Sequence, residues 1–353
     1  MKNFRFTEID KIVYFGRNTV TEEGVALFWT GSAVEFRIKA KSLYLNTECG
    51  YNGMELMLDI VLDGERTQKF VLEKGLSRYL VFNGMNPEKE ITVRIIRDTQ
   101  CMTDDPDSFL ILKSIETDGE FAEPVDYPFQ MEFIGDSLTS GEGCGLTKRE
   151  EWIPVIFDAV ESYTYKTAEL LNARYNVLSQ SGWGLYSSWD SNLKYVLPDY
   201  YDKVCGTTNC SKCIELGAHE KWDFAVSDPD AVVINLGTND MNALNSGTFD
   251  KDKFILGFKE KAKCFIRDIR QKNNSCFIIW AYGMLGNEME PYILDAIYEY
   301  KTENDDQRVE YLKLPLCTGK DLGVRFHPTP EGHSKTARHI ADFIQSLQAF
   351  MLR

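Results

Sequence analysis

Four short runs carry residue types suited to acyl-transfer chemistry. Ser137 stands in Gly135-Asp136-Ser137-Leu138-Thr139-Ser140-Gly141, directly past the apolar run Phe129-Gln-Met-Glu-Phe-Ile134. A serine past a strand, at the start of a helix, exposes its hydroxyl, and nearby N–H groups can face a developing oxyanion. The same run also reads as a β–α turn whose Asp or Ser caps a helix. Ser179-Gln180-Ser181-Gly182-Trp183-Gly184 follows Tyr175–Leu178; glycine there lets backbone approach a ligand closely, or simply makes a turn. Gly237-Thr238-Asn239-Asp240 follows Ala231–Leu236. The Asn239 amide can donate to an oxyanion or close an Asx-type turn.

The fourth run, Phe326-His327-Pro328-Thr-Pro330-Glu-Gly332-His333, precedes the last helix. A loop histidine there can serve as general base to a serine. The chain has four histidines. His339 falls inside the terminal helix, and His333, in its first turn, is the second choice for the base. His219 lies beside Cys205-Gly-Thr-Thr-Asn-Cys210-Ser-Lys-Cys213. This is a single CxxC rather than a pair, so buried or incidental thiols are favoured over structural zinc. Nine cysteines, an odd number, fit reduced thiols better than a disulfide framework.

The elements that must position these runs change character along the chain. Up to about residue 120, eight short runs read as strands: 25–29, 33–38, 42–46, 55–62, 68–72, 77–82, 90–96 and 109–113. Gly, Asn and Asp turns separate them, which predicts an all-β sandwich or jelly roll over 1–122. Glu123-Pro124 to Pro128 reads as a linker. From 128 to 353 strands at 129–134, 175–178, 231–236, 276–281 and 309–312 alternate with helices at 163–174, 251–272, 291–303 and 332–352. That alternation predicts an α/β domain, with a parallel sheet covered by helices on both faces. Reacting groups then belong at the carboxyl ends of the strands.

Composition narrows the partners. The formal net charge of −15 disfavours nucleic acid and anionic membrane surfaces and suits a neutral substrate. No window approaches the roughly 18 apolar residues of a membrane span. Asp10 and Lys11 interrupt any signal-like run, so a cytoplasmic location is expected.

The order Gly-Asp-Ser, Gly, Gly-x-Asn-Asp, His-Pro resembles the SGNH (GDSL) hydrolase superfamily over roughly residues 128–353. The resemblance implies the flavodoxin-like SGNH fold, Ser137 as nucleophile and His327 as general base. It also implies an oxyanion hole from the N–H groups of Ser137 and Gly182 and the side chain of Asn239. Gly16-Arg17 and Phe28-Trp29-Thr30-Gly31-Ser32, on a jelly roll ahead of such a domain, resemble carbohydrate esterase family two. That implies removal of acetyl groups from plant-polysaccharide sugars, with no metal or organic cofactor.

Many SGNH enzymes carry Asp three residues before the catalytic histidine. Here that position is Val324, and Asp321 is six residues away. A Ser–His dyad is therefore expected, as is known in family two, with the imidazole oriented by a backbone carbonyl or another side chain. Trp183, Tyr186 and Trp189 form either a sugar-stacking surface or core. Asp240 either accepts a sugar hydroxyl or caps a helix. The expected substrate is an acetylated mannan or xylan oligosaccharide. An SGNH esterase or thioesterase for lipid or other acyl esters, and a non-catalytic carbohydrate-binding protein, are the alternatives.

Overall fold

The computed structural model describes residues 1–145 and 152–351. The chain forms two compact units, one of Met1–Asp126 with Asp202–Trp222 and one of Tyr127–Tyr201 with Asp223–Arg353.

The first unit holds two six-stranded antiparallel sheets. One orders its strands 18–21, 24–27, 109–117, 42–50 and 75–83, with 2–5 beside 109–117. The other orders 120–122, 33–39, 91–97, 57–62 and 65–71, with 13–15 beside 33–39. Strand 42–50 shows why: every second residue is buried, the period-two signature of a sheet with one wet face. Leu43, Leu45, Leu110 and Leu112 from one sheet join Phe36, Ile60, Val93 and Ile95 from the other in a single core, as expected of a sandwich.

Residues 202–222 lie in sequence between strands 173–179 and 231–235 of the second unit but belong to the first unit. The two early motifs hold them there. The fully buried Arg17 donates from Nη1 to the Lys203 carbonyl at 2.8 Å, and its guanidinium sits 5.3 Å from the Trp222 ring. Trp29 Nε1 donates to the Val204 carbonyl at 2.8 Å. Gly16 has φ +80°, and a Cβ there would stand 2.5 Å from Ser32 Oγ, so only glycine fits. Cys101, Cys205, Cys210 and Cys213 of this unit are buried free thiols; Cys205 Sγ lies 3.2 Å from Thr207 Oγ1, and Cys213 Sγ donates to the Ser108 carbonyl at 3.3 Å. Among the described residues, no group of three convergent ligand atoms includes a cysteine.

The second unit contains five parallel strands: β1 (Phe129–Gly135), β2 (Ala173–Ser179), β3 (Ala231–Asn235), β4 (Phe277–Tyr282) and β5 (Val309–Lys313). Their order is β2-β1-β3-β4-β5, the flavodoxin-like arrangement. Its helices are α1 (Tyr163–Leu171), α2 (Thr238–Asn245), α3 (Lys251–Lys272), α4 (Glu290–Asn304) and α5 (Pro330–Met351). β3 is buried at every position, as a strand covered on both faces must be. α1 packs with α5, and α3 with α4. Because β1→β2 runs one way across the sheet and the later crossovers run the other, right-handed connections put these two pairs on opposite faces.

Most boundaries fall within two residues of those read from sequence. α1 is shorter than expected because Asn172 takes a left-handed conformation (φ 48°) and closes the helix. Helix α2 was not anticipated. Leu352, where the sequence reading ends the last helix, lies outside the described residues. Among those residues, no helix is long and apolar enough to cross a membrane.

Candidate active site

Strand register brings three of the four runs to one level. Gly135, the last residue of β1, pairs with Ser179 at the end of β2 and with Asn235 at the end of β3. The chain therefore leaves three neighbouring strands together, at the point where strand order reverses and ligands bind in such sheets. Ser137 follows β1, Gly182 follows β2 and Asn239 lies in the first turn of α2.

Past β1 the chain makes a tight turn rather than the expected helix. The N–H groups of Thr139 and Ser140 donate to the Asp136 carbonyl at 3.1 and 3.0 Å. Gly141 then adopts φ +75°, where a Cβ would stand 2.5 Å from the Asp158 carbonyl, and ends the turn. Ser137 is left 8% exposed at the turn's crest.

His327 reaches it from the loop before α5. Its Nε2 lies 2.7 Å from Ser137 Oγ, and its Nδ1 lies 3.0 Å from the carbonyl of Arg325. A carbonyl can only accept, so Nδ1 carries the proton and Nε2 is free to accept from the serine. The orienting group left open by the sequence is thus a backbone carbonyl. Arg325 and Phe326 adopt φ 54° and 58°, in the left-handed region. Gly143 makes room for the His327 segment: a Cβ there would stand 2.5 Å from His327 Cβ.

The other candidates go elsewhere. His333 is fully buried, and its Nδ1 accepts the Tyr163 N–H of the first turn of α1 at 3.0 Å. Burial, with Lys166 and His327 nearby, pulls its pKa down to about 3, so it stays neutral. Asp321 pairs with Lys335 at 2.8 Å. His339 bonds the Lys313 carbonyl, and His219 the Thr208 carbonyl.

Asn239 arrives at the site with its amide engaged. Nδ2 donates to the Trp183 carbonyl at 2.8 Å and to Asp136 Oδ2 at 3.1 Å. Asp136 is fully buried, and burial pushes its carboxyl up to about 7. Gly182 has φ +81°, and the indole of Trp189 lies where its Cβ would be, 2.8 Å from Cδ1.

Two expectations about substrate contact need correction. Asp240 is completely buried, and its oxygens accept the N–H groups of Leu185, Tyr186 and Ser187 at 2.9, 2.7 and 2.9 Å. It braces the loop after β2 and has no face for a sugar hydroxyl. Trp183 is 6% exposed, stacked on Tyr195 with centroids 5.3 Å apart and tilted against Tyr200. Tyr186 likewise packs edge-on to Phe254. The available indole is Trp189, 62% exposed.

Glu142 was missed by the sequence reading. It is buried, forms an ion pair with Arg325 Nη1 at 2.7 Å, and accepts from Ser181 Oγ at 2.8 Å. No residue spacing marks it; a carboxylate amid the glycines of Gly141-Glu142-Gly143 was the available cue.

A GDSL-like Lipase/Acylhydrolase family model matches residues 133–335, which takes in all four runs. The chain belongs to this family. A solved acetyl xylan esterase, Est2A from the rumen bacterium Butyrivibrio proteoclasticus, is 31% identical, with a TM-score of 0.95 over 99% of this chain and 98% of that one. A family two carbohydrate esterase from Clostridium thermocellum, solved with cellohexaose, is 23% identical, with a TM-score of 0.81 over 96% of this chain and 99% of that one. The acetylxylan esterase / glucomannan deacetylase of Cellvibrio japonicus is 26% identical over 220 residues, 61% of this chain. The chain spans 39% and 56% of the length of the curated relatives it matches.

Proposed function

We propose that this chain is a serine esterase that removes acetyl groups from hemicellulose oligosaccharides. The observation that carries this reading is the 2.7 Å contact of His327 Nε2 with Ser137 Oγ, with Nδ1 held by a carbonyl.

The chemistry follows from that tautomer. His327 Nε2 takes the proton as Ser137 Oγ attacks the acetyl carbonyl. The new oxyanion draws on the N–H groups of Ser137 and Gly182 and on Asn239, each donor contributing roughly 3 kcal/mol of barrier reduction. Of the two Asn239 contacts, the longer one to Asp136 is the one an oxyanion would draw away. The His327 imidazolium then protonates the departing sugar hydroxyl. Water attacks the acetyl-enzyme with His327 again as base, releasing acetate and restoring Ser137.

The sugar side of the reading has three supports. Trp189 offers an exposed indole face beside Gly182. The net charge favours a neutral ligand. The relatives include an acetyl xylan esterase and an acetylxylan esterase / glucomannan deacetylase.

The test is acetate release from acetylated xylan and glucomannan oligosaccharides by wild type, Ser137→Ala and His327→Ala. Release by wild type, abolished in both variants, is the expected result. Hydrolysis of an aryl acetate through Ser137 with no release from any glycan would leave an esterase and remove the carbohydrate assignment.

A further inference from the structure

Glu142 spends its two carboxylate oxygens on two different loops. Oε1 pairs with Arg325 Nη1 at 2.7 Å, and Oε2 accepts from Ser181 Oγ at 2.8 Å. Each partner adjoins a functional group. The Arg325 carbonyl holds Nδ1 of His327, and Ser181 precedes Gly182. Glu142 is in turn fixed to the nucleophile's turn, because its N–H donates to the Ser137 carbonyl at 3.0 Å. One carboxylate therefore ties together the serine turn, the histidine loop and the glycine loop.

Two physical facts say why such a tie is needed. The carbonyl that orients His327 belongs to a residue at φ 54°, followed by another at φ 58°. Left-handed conformations are costly for non-glycine residues, so this loop relaxes unless something over-determines it. Relaxation would rotate the carbonyl off Nδ1. The Glu142 side chain is 3% exposed and that of Arg325 44%. A carboxylate so buried is costly unless it is paired, and truncating a partner in such a pair is strongly felt. The tie is therefore not a surface ion pair of negligible weight.

We infer that Glu142 is a positioning residue for the hydrolysis proposed above, holding the Arg325 carbonyl on His327 and the Ser181–Gly182 loop beside Ser137. The inference rests on that reading of Ser137 and His327. Glu142 itself does not share the proton: its Oε2 is 3.9 Å from His327 Nε2, beyond hydrogen-bond reach. It stands in for the missing carboxylate of a triad by acting one step removed, through an arginine whose backbone does the accepting.

The experiment is a double-mutant cycle of Glu142→Gln and Arg325→Met, with Arg325→Lys as the conservative variant, read on p-nitrophenyl acetate and by proton NMR. Each single variant should lower kcat about tenfold or more, while KM stays within about twofold. The double variant should be no worse than the worse single one, because both changes break one tie. Arg325→Lys should recover most of kcat. The downfield Nδ1–H resonance, assigned by its loss in His327→Ala, should persist in wild type and Arg325→Lys and vanish in the other variants.

Wild-type kcat and an unaltered resonance in Glu142→Gln would overturn the inference. Should Glu142→Gln fail to fold, the same result in Arg325→Met, whose side chain is half exposed, overturns it equally. A wild type that cleaves no ester defeats the proposed function instead; the resonance needs no turnover and still decides the positioning.

Discussion

The Nδ1 of His327 lies 3.0 Å from the main-chain carbonyl of Arg325, two positions earlier in the same loop. A carboxylate in a triad orients the imidazole and stabilises its charged form. A carbonyl supplies the orientation with a partial charge only, and its own placement depends on backbone torsions. The left-handed φ of Arg325 is thus as much a part of the site as the histidine.

Arg325→Pro should therefore cost activity about as heavily as His327→Ala, roughly a thousandfold or more in kcat/KM. Proline fixes φ near −65°, where the site needs 54°. Asp321→Asn, by contrast, should leave kcat unchanged, since that carboxylate is engaged with Lys335. A large kcat loss in Asp321→Asn would mean that a carboxylate takes part after all.

The strand-end runs were legible because a parallel sheet puts its loops at one edge whatever the side chains beyond them. Ser137 was singled out this way and His327 as a loop histidine ahead of the last helix, and the fold brings them into contact. Glu142 was not, because its partners Arg325 and Ser181 lie far from it in sequence and no periodicity links them. Asp240 was misread for a related reason. A lone Asp after Asn239 looks free until the folded loop supplies three N–H groups to it. Residues 202–222 are tied to the first unit by Arg17 and Trp29 among others, whose partners are more than 170 residues away. Their motif was visible, but not what it grips.

His333 separates structure from chemistry. Its Nδ1 satisfies the buried Tyr163 N–H, so His333→Ala should destabilise the fold by about 1–3 kcal/mol. kcat per folded molecule should be retained. The pKa of about 3 also sets an acid dependence. A histidine depressed in the fold favours it fully above the ordinary imidazole pKa of roughly 6.5, and that contribution drains away as pH falls toward about 3. Urea melts of wild type and His333→Ala across this range test both points: a wild-type acid slope no steeper than the variant's would refute the assignment.

Asp136 acts in the opposite direction. Its carboxyl is raised to about 7 by burial, so the fold favours the protonated form. Stability from this group is complete below the ordinary carboxylate pKa near 4. It declines as pH rises to about 7, by at most roughly 1.4 kcal/mol for each pH unit crossed. In Asp136→Asn the decline between about pH 4.5 and 7.5 should flatten. The variant will also lose some stability at every pH, since an amide nitrogen then faces that of Asn239. The slope is accordingly the measurement, and an unchanged slope would place the titrating group elsewhere.

Trp189 offers the sharpest division between binding and chemistry. Its indole is mostly exposed, yet the Cδ1–Nε1 edge lies over Gly182, and the Trp189 backbone N–H donates to the Gly182 carbonyl at 2.9 Å. A pyranose ring stacked on that face would cover apolar area worth about 1–2 kcal/mol. Trp189→Ala should then raise KM for acetylated xylan or glucomannan oligosaccharides about tenfold, with kcat/KM on p-nitrophenyl acetate within about twofold of wild type. Gly182→Ala should instead damage both substrates, because its Cβ meets the indole at 2.8 Å and its φ of +81° is strained for alanine. Equal losses on glycan and aryl ester in Trp189→Ala would show the indole to be a support for the glycine loop. A loss confined to the glycan would assign it to the sugar.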